Sequence, residues 1–404
     1  MTGATREFRR EFGAGWRFLL GAFVGIGGGF ASLYFYSAGL FIKPLSAQFG
    51  WSRQEASLVA IAFMIGNVFA LPFTGRLVDR FGEAKVALLS SFGLAATFAM
   101  LGLFTSNLVT FLSFTLLLTL VSAGTNSVSY NRVVVRHFVA NRGLALGLAL
   151  MGTGVGAIIL PPVLGPYIAT HGWRAAYLAL AVATLVLSGI AWLLLRETPD
   201  RRGVHIAREP LPFAEILRNR SFYSVSALIF LSSTAVLGTT LHLVPMLTDR
   251  GVSAVEAGAI ASVLGMSVIG GRLVAGVLLD RWDAGWVTFL LLTFAAFGAL
   301  MLRIDSPGLA IAGAALIGFG VGTETDLLAY LLGRRFPIKG FSSVYGSIFA
   351  VHAFGAGIGG MAAGALFDAT GSYETWLIVA AGGLFGAALI AFMTERGAVP
   401  VQVG

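Results

Sequence analysis

Four ionisable side chains stand deep inside long apolar runs of this chain: Arg272, Glu324, Asp326 and His352. In hydrocarbon such groups are costly, and they are kept for ligands, ion pathways or pairing. Arg272 lies about 18 residues into its run, about 27 Å along a helix axis. Its guanidinium stays protonated and offers a planar fork of donors that suits a carboxylate. Glu324 and Asp326 lie about 24–27 Å into a neighbouring run and point about 200° apart, so both cannot face one cavity. A carboxyl group removed from water gains proton affinity, which makes either one a candidate proton carrier. His352, near the middle of a further run, can bind an anion or relay a proton. Structural roles compete with each reading. Arg272 could be held by Asp326 or snorkel to water, Asp326 could pair with Arg334 or Arg335, and His352 could bond a backbone carbonyl. Asn126 and Tyr130 are one turn apart on a single predicted helix and share a face. Tyr34, His242 and Tyr330 add polar groups in other runs; a tyrosine hydroxyl can donate to a carboxylate while its ring packs on the aliphatic part.

The elements that position these groups follow from composition. Of 404 residues, 57% are hydrophobic and 11% charged, with mean hydropathy +0.85. A soluble domain has about a quarter of its residues charged, so this is a membrane protein. Its apolar runs are about 20 residues or longer and lack the alternation of a barrel, so the spans are helices. We place twelve, at 17–42, 54–78, 84–104, 108–135, 143–169, 174–195, 221–247, 254–279, 285–303, 308–333, 342–367 and 373–394. Ser52 and Ser253 each precede a Glu by three residues, the capping-box pattern, at the starts of spans 2 and 8.

Net charge is +8. Of 27 Lys and Arg, the side shared by the two termini holds 21 and the opposite side five, with Arg272 inside span 8. Both termini are therefore expected in the cytoplasm of a multi-pass inner (plasma) membrane protein, and the basic charge reflects topology rather than nucleic-acid binding. The charged N-terminus lacks a cleavage site, so the first run reads as a retained helix. With no cysteine, disulfides and thiolate chemistry are excluded. No phosphate loop, metal cluster or nucleophile–base set is visible, so neither enzymatic activity nor a cofactor or metal is expected. The expected organisation is a cytoplasmic N-terminus (1–16), a six-helix bundle (17–195), a polar cytoplasmic linker (196–220), a second six-helix bundle (221–394) and a cytoplasmic C-terminus (395–404). A short surface helix could lie in the linker around 213–217.

The two bundles are repeats. Residues 50–82 align with 251–283 at an offset of 201, sharing Gly50/Gly251, Ser52/Ser253, Glu55/Glu256, Gly75/Gly276, Leu77/Leu278, Asp79/Asp280 and Arg80/Arg281. Gly147, Gly156 and Gly172 fall opposite Gly346, Gly355 and Gly371 at an offset of 199. Like-oriented halves are the arrangement of a carrier with its site between repeats. The partner of Arg272 is Leu71, so such a site is asymmetric. Gly152, Gly154 and Gly156 suit close helix packing.

The stretch from Gly75 through Leu77, Asp79 and Arg80 to Lys85 resembles the signature loop of the major facilitator superfamily. The segment Phe41–Arg53, the run from Asn141 through the glycines of span 5 to Pro161-Pro162, and Gly172-Trp173-Arg174 are similar to its monocarboxylate-porter and oxalate:formate-antiporter branches. The resemblance covers nearly the whole chain. It implies an all-α membrane protein of twelve transmembrane helices in two pseudo-symmetric bundles, and a secondary carrier of small organic monocarboxylates working by alternating access, with protons as the coupling ion and a monomer as the functional unit. Those branches carry a substrate-binding Arg in span 8, which supports Arg272. They also place an Asp one turn before that Arg, a Lys in span 1 or a Lys in span 11. Here the corresponding features are Val268, Lys43 toward the outer end, and no Lys within span 11, so proton coupling falls to Glu324, Asp326 or His352. Asn126, Tyr130, Tyr34, Tyr330 and His352 are expected to assist in substrate binding. Asp79 can pair with Arg132 or Arg136, or cap a neighbouring helix. With Arg80, and with Asp280 and Arg281 in the second half, it forms the expected cytoplasmic gate. Rival readings are an organic-anion exchanger, an exporter of amphipathic compounds, and a sensor that binds without transport.

Overall fold

A computed structural model of the chain describes residues 3–138, 142–196, 220–335 and 341–395. All secondary structure among these residues is helical. Residues 197–219 of the linker, its expected surface helix included, lie outside the described residues, as do 396–404. The chain divides into two compact units, Met1–Leu45 with Ile65–Arg202 and Ser46–Met64 with Gly203–Gly404. Among the described residues nine helices are long and apolar enough to cross a membrane; one, Leu144–Leu195, contains two of the expected spans. Large apolar side chains such as Phe69, Leu89, Val109 and Val182 stand exposed on these helices, as a lipid-facing surface requires.

The first unit contains α1 (Gly3–Gly27), α2 (Phe30–Leu33), most of α3 (Ala38–Phe49) and the later part of α5 (Val59–Phe81). It continues through α6 (Glu83–Phe104), α7 (Leu108–Ser122), a short 3-10 turn (Ala123–Thr125), α8 (Ser127–His137) and α9 (Arg142–Leu195). In lipid, helices associate through close packing rather than a hydrophobic drive, so small residues mark the contacts. On α9, a Cβ at Gly152 would meet the Phe23 carbonyl of α1, and one at Gly156 would meet Ser32 Oγ. Helix α9 turns at Gly172, whose φ of 82° belongs to the left-handed region that glycine alone adopts readily. Trp173 is buried after it, and Arg174 lies 4.3 Å over the Trp173 ring while donating to the carbonyls of Gly102 and Thr105 at the end of α6.

Two spans expected to be continuous are broken by extended residues, while span 2 is divided only by a tight turn at Leu58. Span 1 starts earlier than expected, at Gly3, and is interrupted at Gly28-Gly29 and again at 34–37. Span 4 is interrupted at 123–126. The breaks complete one another. Gly29 is extended (φ −90°, ψ 178°), and the Phe30 amide donates to Thr125 Oγ1 at 3.0 Å. That hydroxyl in turn donates to Ser122 O at 2.7 Å. A side chain at Gly29 would run into the Thr125 carbonyl, 2.5 Å from the Cβ position. Buried backbone groups must find partners, and here the interrupted helices supply them to each other.

The second unit contains α4 (Arg53–Ser57), the start of α5, α10 (Arg220–Asp249), α11 (Ala254–Arg281), α12 (Ala284–Met301), α13 (Pro307–Arg335), α14 (Phe341–Thr370) and α15 (Glu374–Glu395). Glycines again set the crossings. Gly355 and Gly359 of α14 lie against Ser233 and the Thr234 carbonyl of α10. Gly318 and Gly322 of α13 lie against the Leu264 and Val268 carbonyls of α11, and Gly271 against Phe319 O. The contact of Gly355 with Ser233 is the repeat image of Gly156 with Ser32. Both capping boxes form, at Ser52–Glu55 and Ser253–Glu256. Two repeat-related glycine pairs, Gly50/Gly251 and Gly172/Gly371, take positive φ. Residues 46–64, expected in the first bundle, cluster with the second unit because α4 is tied there. Asp368 of α14 accepts from the Arg53 and Gln54 amides at 2.8 and 2.7 Å, and Arg53 pairs with Asp249 at 3.1 Å.

Candidate substrate and proton site in the second unit

Glu324 is a carboxyl group inside packed protein, only 2% exposed. Gly322 and Gly318 bring α13 onto the α11 backbone, while Thr323 spends its hydroxyl on Gly320 O. This draws position 324 into the interior. Its Oε1 accepts from Ser232 Oγ of α10 at 3.0 Å and lies 3.3 Å from His352 Nδ1 of α14. An ionised carboxylate can only accept, so Nδ1 then carries the hydrogen; a protonated carboxyl reverses the bond and donates to Nδ1. One proton therefore has two resting places along this line. His352 is half-buried, its ring tilted against Phe349 at 5.4 Å. A helical run of sequence-distant residues has thus placed a carboxyl, an imidazole and a hydroxyl within hydrogen-bond reach.

Arg272 of α11 lies one turn beyond Val268, the residue whose carbonyl faces Gly322. It is half-buried, and its Nε is buried with no hydrogen-bond partner among the described residues. Of the two preceding glycines, Gly271 takes the approach of α13 and Gly270 has open space at its Cβ position. A guanidinium N–H left without an acceptor in such surroundings is an available donor for an anionic oxygen.

The remaining candidates are placed differently. Asn126 is extended (φ −71°, ψ 162°) before α8, so it does not share a helix face with Tyr130 as expected. Tyr130 is buried among Ala22, Ile26, Val133 and Ala149. Its ring occupies the room left by Gly25, and Ser91 and Ser188 line a small cavity with it. Tyr34 is buried too, stacked on Phe30 and bonded to Thr115 Oγ1 at 3.4 Å. Both tyrosines therefore serve the interior of the first unit. His242 is fully buried, with Nε2 3.0 Å from Gly360 O and 3.1 Å from Ser57 Oγ, and Nδ1 2.9 Å from the Tyr373 hydroxyl. A carbonyl only accepts, so Nε2 carries the hydrogen and Tyr373 donates to Nδ1; this histidine ties helices together. Arg80, 5.3 Å from the Phe81 ring, and Arg281 are exposed. The side chains of Asp79, Arg132, Arg136, Asp280, Asp326 and Tyr330 lie outside those described. Ser232 was not anticipated from sequence, although the hydroxyl run Ser232-Ser233-Thr234 within an apolar span was the available signal.

Broken and unbroken membrane helices, glycine-set crossings and buried ionisable groups in one unit describe a polytopic membrane transporter. The sequence profile of the Major Facilitator Superfamily matches residues 24–359, and the chain belongs to that superfamily. It therefore has the superfamily's twelve-helix, two-bundle architecture and is a transporter rather than an enzyme. It is similar to monocarboxylate transporters: 29% identical over 364 residues to monocarboxylate transporter 11 of Homo sapiens, covering 83% of this chain and 74% of that one. It is 27% identical over 385 residues to monocarboxylate transporter 13 of Bos taurus, covering 91% and 86%. In fold it resembles a crystallised nucleoside transporter (TM-score 0.78, 14% identity, 94% and 99% covered). It also resembles a bacterial homologue of the human lysosomal transporter Spinster (TM-score 0.72, 16% identity, 94% and 96% covered).

Proposed function

We propose that this chain carries small organic monocarboxylates across the plasma membrane together with protons, by alternating access, as a monomer with both termini in the cytoplasm. Arg272 holds the substrate carboxylate, and the Glu324–His352 pair carries the proton. The observation that carries this reading is the buried Arg272 Nε without an acceptor among the described residues, on the helix that packs against the one bearing Glu324. The likeness to monocarboxylate transporters supports the substrate class. The shared proton position between Glu324 Oε1 and His352 Nδ1 supports coupling. A bound anion beside Arg272 removes net positive charge from the site, and a proton taken up by Glu324 or His352 restores it, so loading with both is electrically cheaper than with either alone.

Uptake into proteoliposomes tests this. An inward proton gradient should drive accumulation of a short-chain monocarboxylate such as lactate. Arg272→Ala should abolish it, and Arg272→Lys, which keeps charge without the fork, should retain a minor part. Undiminished carboxylate uptake by Arg272→Ala would reject the assigned site. Uptake that needs internal anion and ignores the gradient would make the protein an exchanger.

A further inference from the structure

We propose that Ser232 is the positioning residue that lets Glu324 change protonation state while buried, because its single hydroxyl hydrogen has two acceptors and swings between them. Ser232 Oγ is 3.0 Å from Glu324 Oε1 and 3.2 Å from the carbonyl of Ile229, one turn back on its own helix. A hydroxyl carries one hydrogen and two lone pairs, so it serves one of these acceptors at a time. When Glu324 is ionised, Ser232 donates to Oε1 beside His352 Nδ1–H, and the charge has two donors. When the O–H of protonated Glu324 points to Ser232 instead of His352 Nδ1, Ser232 turns its hydrogen to Ile229 O and accepts from the carboxyl, while Nδ1–H still donates to Oε1. No polar atom of the trio loses its partner in either state, which is the requirement for a buried group that titrates. Protonation forms one carboxyl O–H as one N–H of the His352 imidazolium, or one O–H of a hydronium ion, breaks, and deprotonation runs the same exchange in reverse.

Among the described residues few other groups can play this part. α10 faces Glu324 with Ser232, and α14 with His352. α11 faces Gly322 with the Val268 carbonyl and carries Arg272 one turn on. α12 holds no ionisable side chain between Ala284 and Met301, and Asp326 follows two residues later on α13 itself. The next residue, Ser233, donates to the same Ile229 carbonyl at 2.7 Å. The inference rests on the reading of Glu324 as the proton-carrying carboxyl.

Infrared titration of the full-length protein in lipid nanodiscs tests it, using the carboxyl band that Glu324→Gln removes. Ser232→Ala should shift the frequency of that band, because the carboxyl loses its hydroxyl partner. Ser232→Thr, which keeps the hydroxyl, should restore it. Ser232→Val against Ser232→Thr gives the same contrast between isosteric side chains should the alanine variant fail to accumulate. An unmoved band in the variants lacking a hydroxyl, an equal shift in Ser232→Thr, or no titrating band belonging to Glu324 would each overturn the proposal. Uptake by the same samples separates the two claims. A shifted band with transport indifferent to the proton gradient leaves the role of Ser232 standing and removes the coupling.

Discussion

In the first unit two helices are interrupted and mend each other through a threonine hydroxyl, whereas in the second the corresponding helices run unbroken and a carboxyl group stands where the threonine would be. The 201-residue offset carries Phe30 to Leu231, beside Ser232, and the 199-residue offset carries Thr125 to Glu324. In each half the first helix meets the fourth near these positions. In the first unit the contact joins a backbone amide to a hydroxyl, both of fixed charge. In the second it joins a hydroxyl to a group that can gain or lose a proton, with a histidine alongside. Under the proposed function, the acceptor position is architecture in one half and chemistry in the other. The difference lies in whether the acceptor can titrate.

That contrast can be broken or sharpened by substitution. The largest effect is expected where both halves depend on the same device. Gly152→Leu and Gly359→Leu each force a side chain into a facing carbonyl. Each should cost about 3 kcal/mol or more, seen as loss of monodisperse protein on size exclusion. Glu324→Gln and Thr125→Val should then divide the halves. Glu324→Gln should leave the thermal midpoint near that of the parent and remove the dependence of uptake on the proton gradient. Thr125→Val leaves the Phe30 amide without its acceptor and should lower stability by about 2 kcal/mol without changing that dependence. If Thr125→Val altered coupling as Glu324→Gln does, the division of roles would be gone. The smallest effect is expected at the paired caps. Ser52→Ala and Ser253→Ala should each cost about 1 kcal/mol in unfolding measurements, and equally, since both boxes are complete.

Much of the framework is legible in residue types alone. Length and hydropathy locate the helices, a Ser three residues before a Glu announces each cap, and Gly50, Gly172, Gly251 and Gly371 stand where the backbone turns left-handed. The breaks in spans 1 and 4 are harder to see, because hydropathy averages over a run and is indifferent to whether the amides within it point along one axis. Gly27-Gly28-Gly29 hints at the first, but the second depends on Thr125 meeting Phe30, a contact 95 residues long in sequence. Asn126 and Tyr130 have helical spacing without a helix between them. The ionisable residues announce themselves by rarity in an apolar chain. Their association does not, since Ser232, Glu324 and His352 come from three helices whose rotation is fixed by which glycines face which carbonyls.

The tie made by Arg174 bears on how such a chain is assembled. The last carbonyls of α6 at Gly102 and Thr105 are met by a guanidinium about 70 positions downstream. A ribosome must therefore deliver two further membrane segments before that terminus is satisfied. Until then it needs water or a chaperone at its carbonyls, and the nascent first half is completed only when the tryptophan–arginine pair arrives to close it.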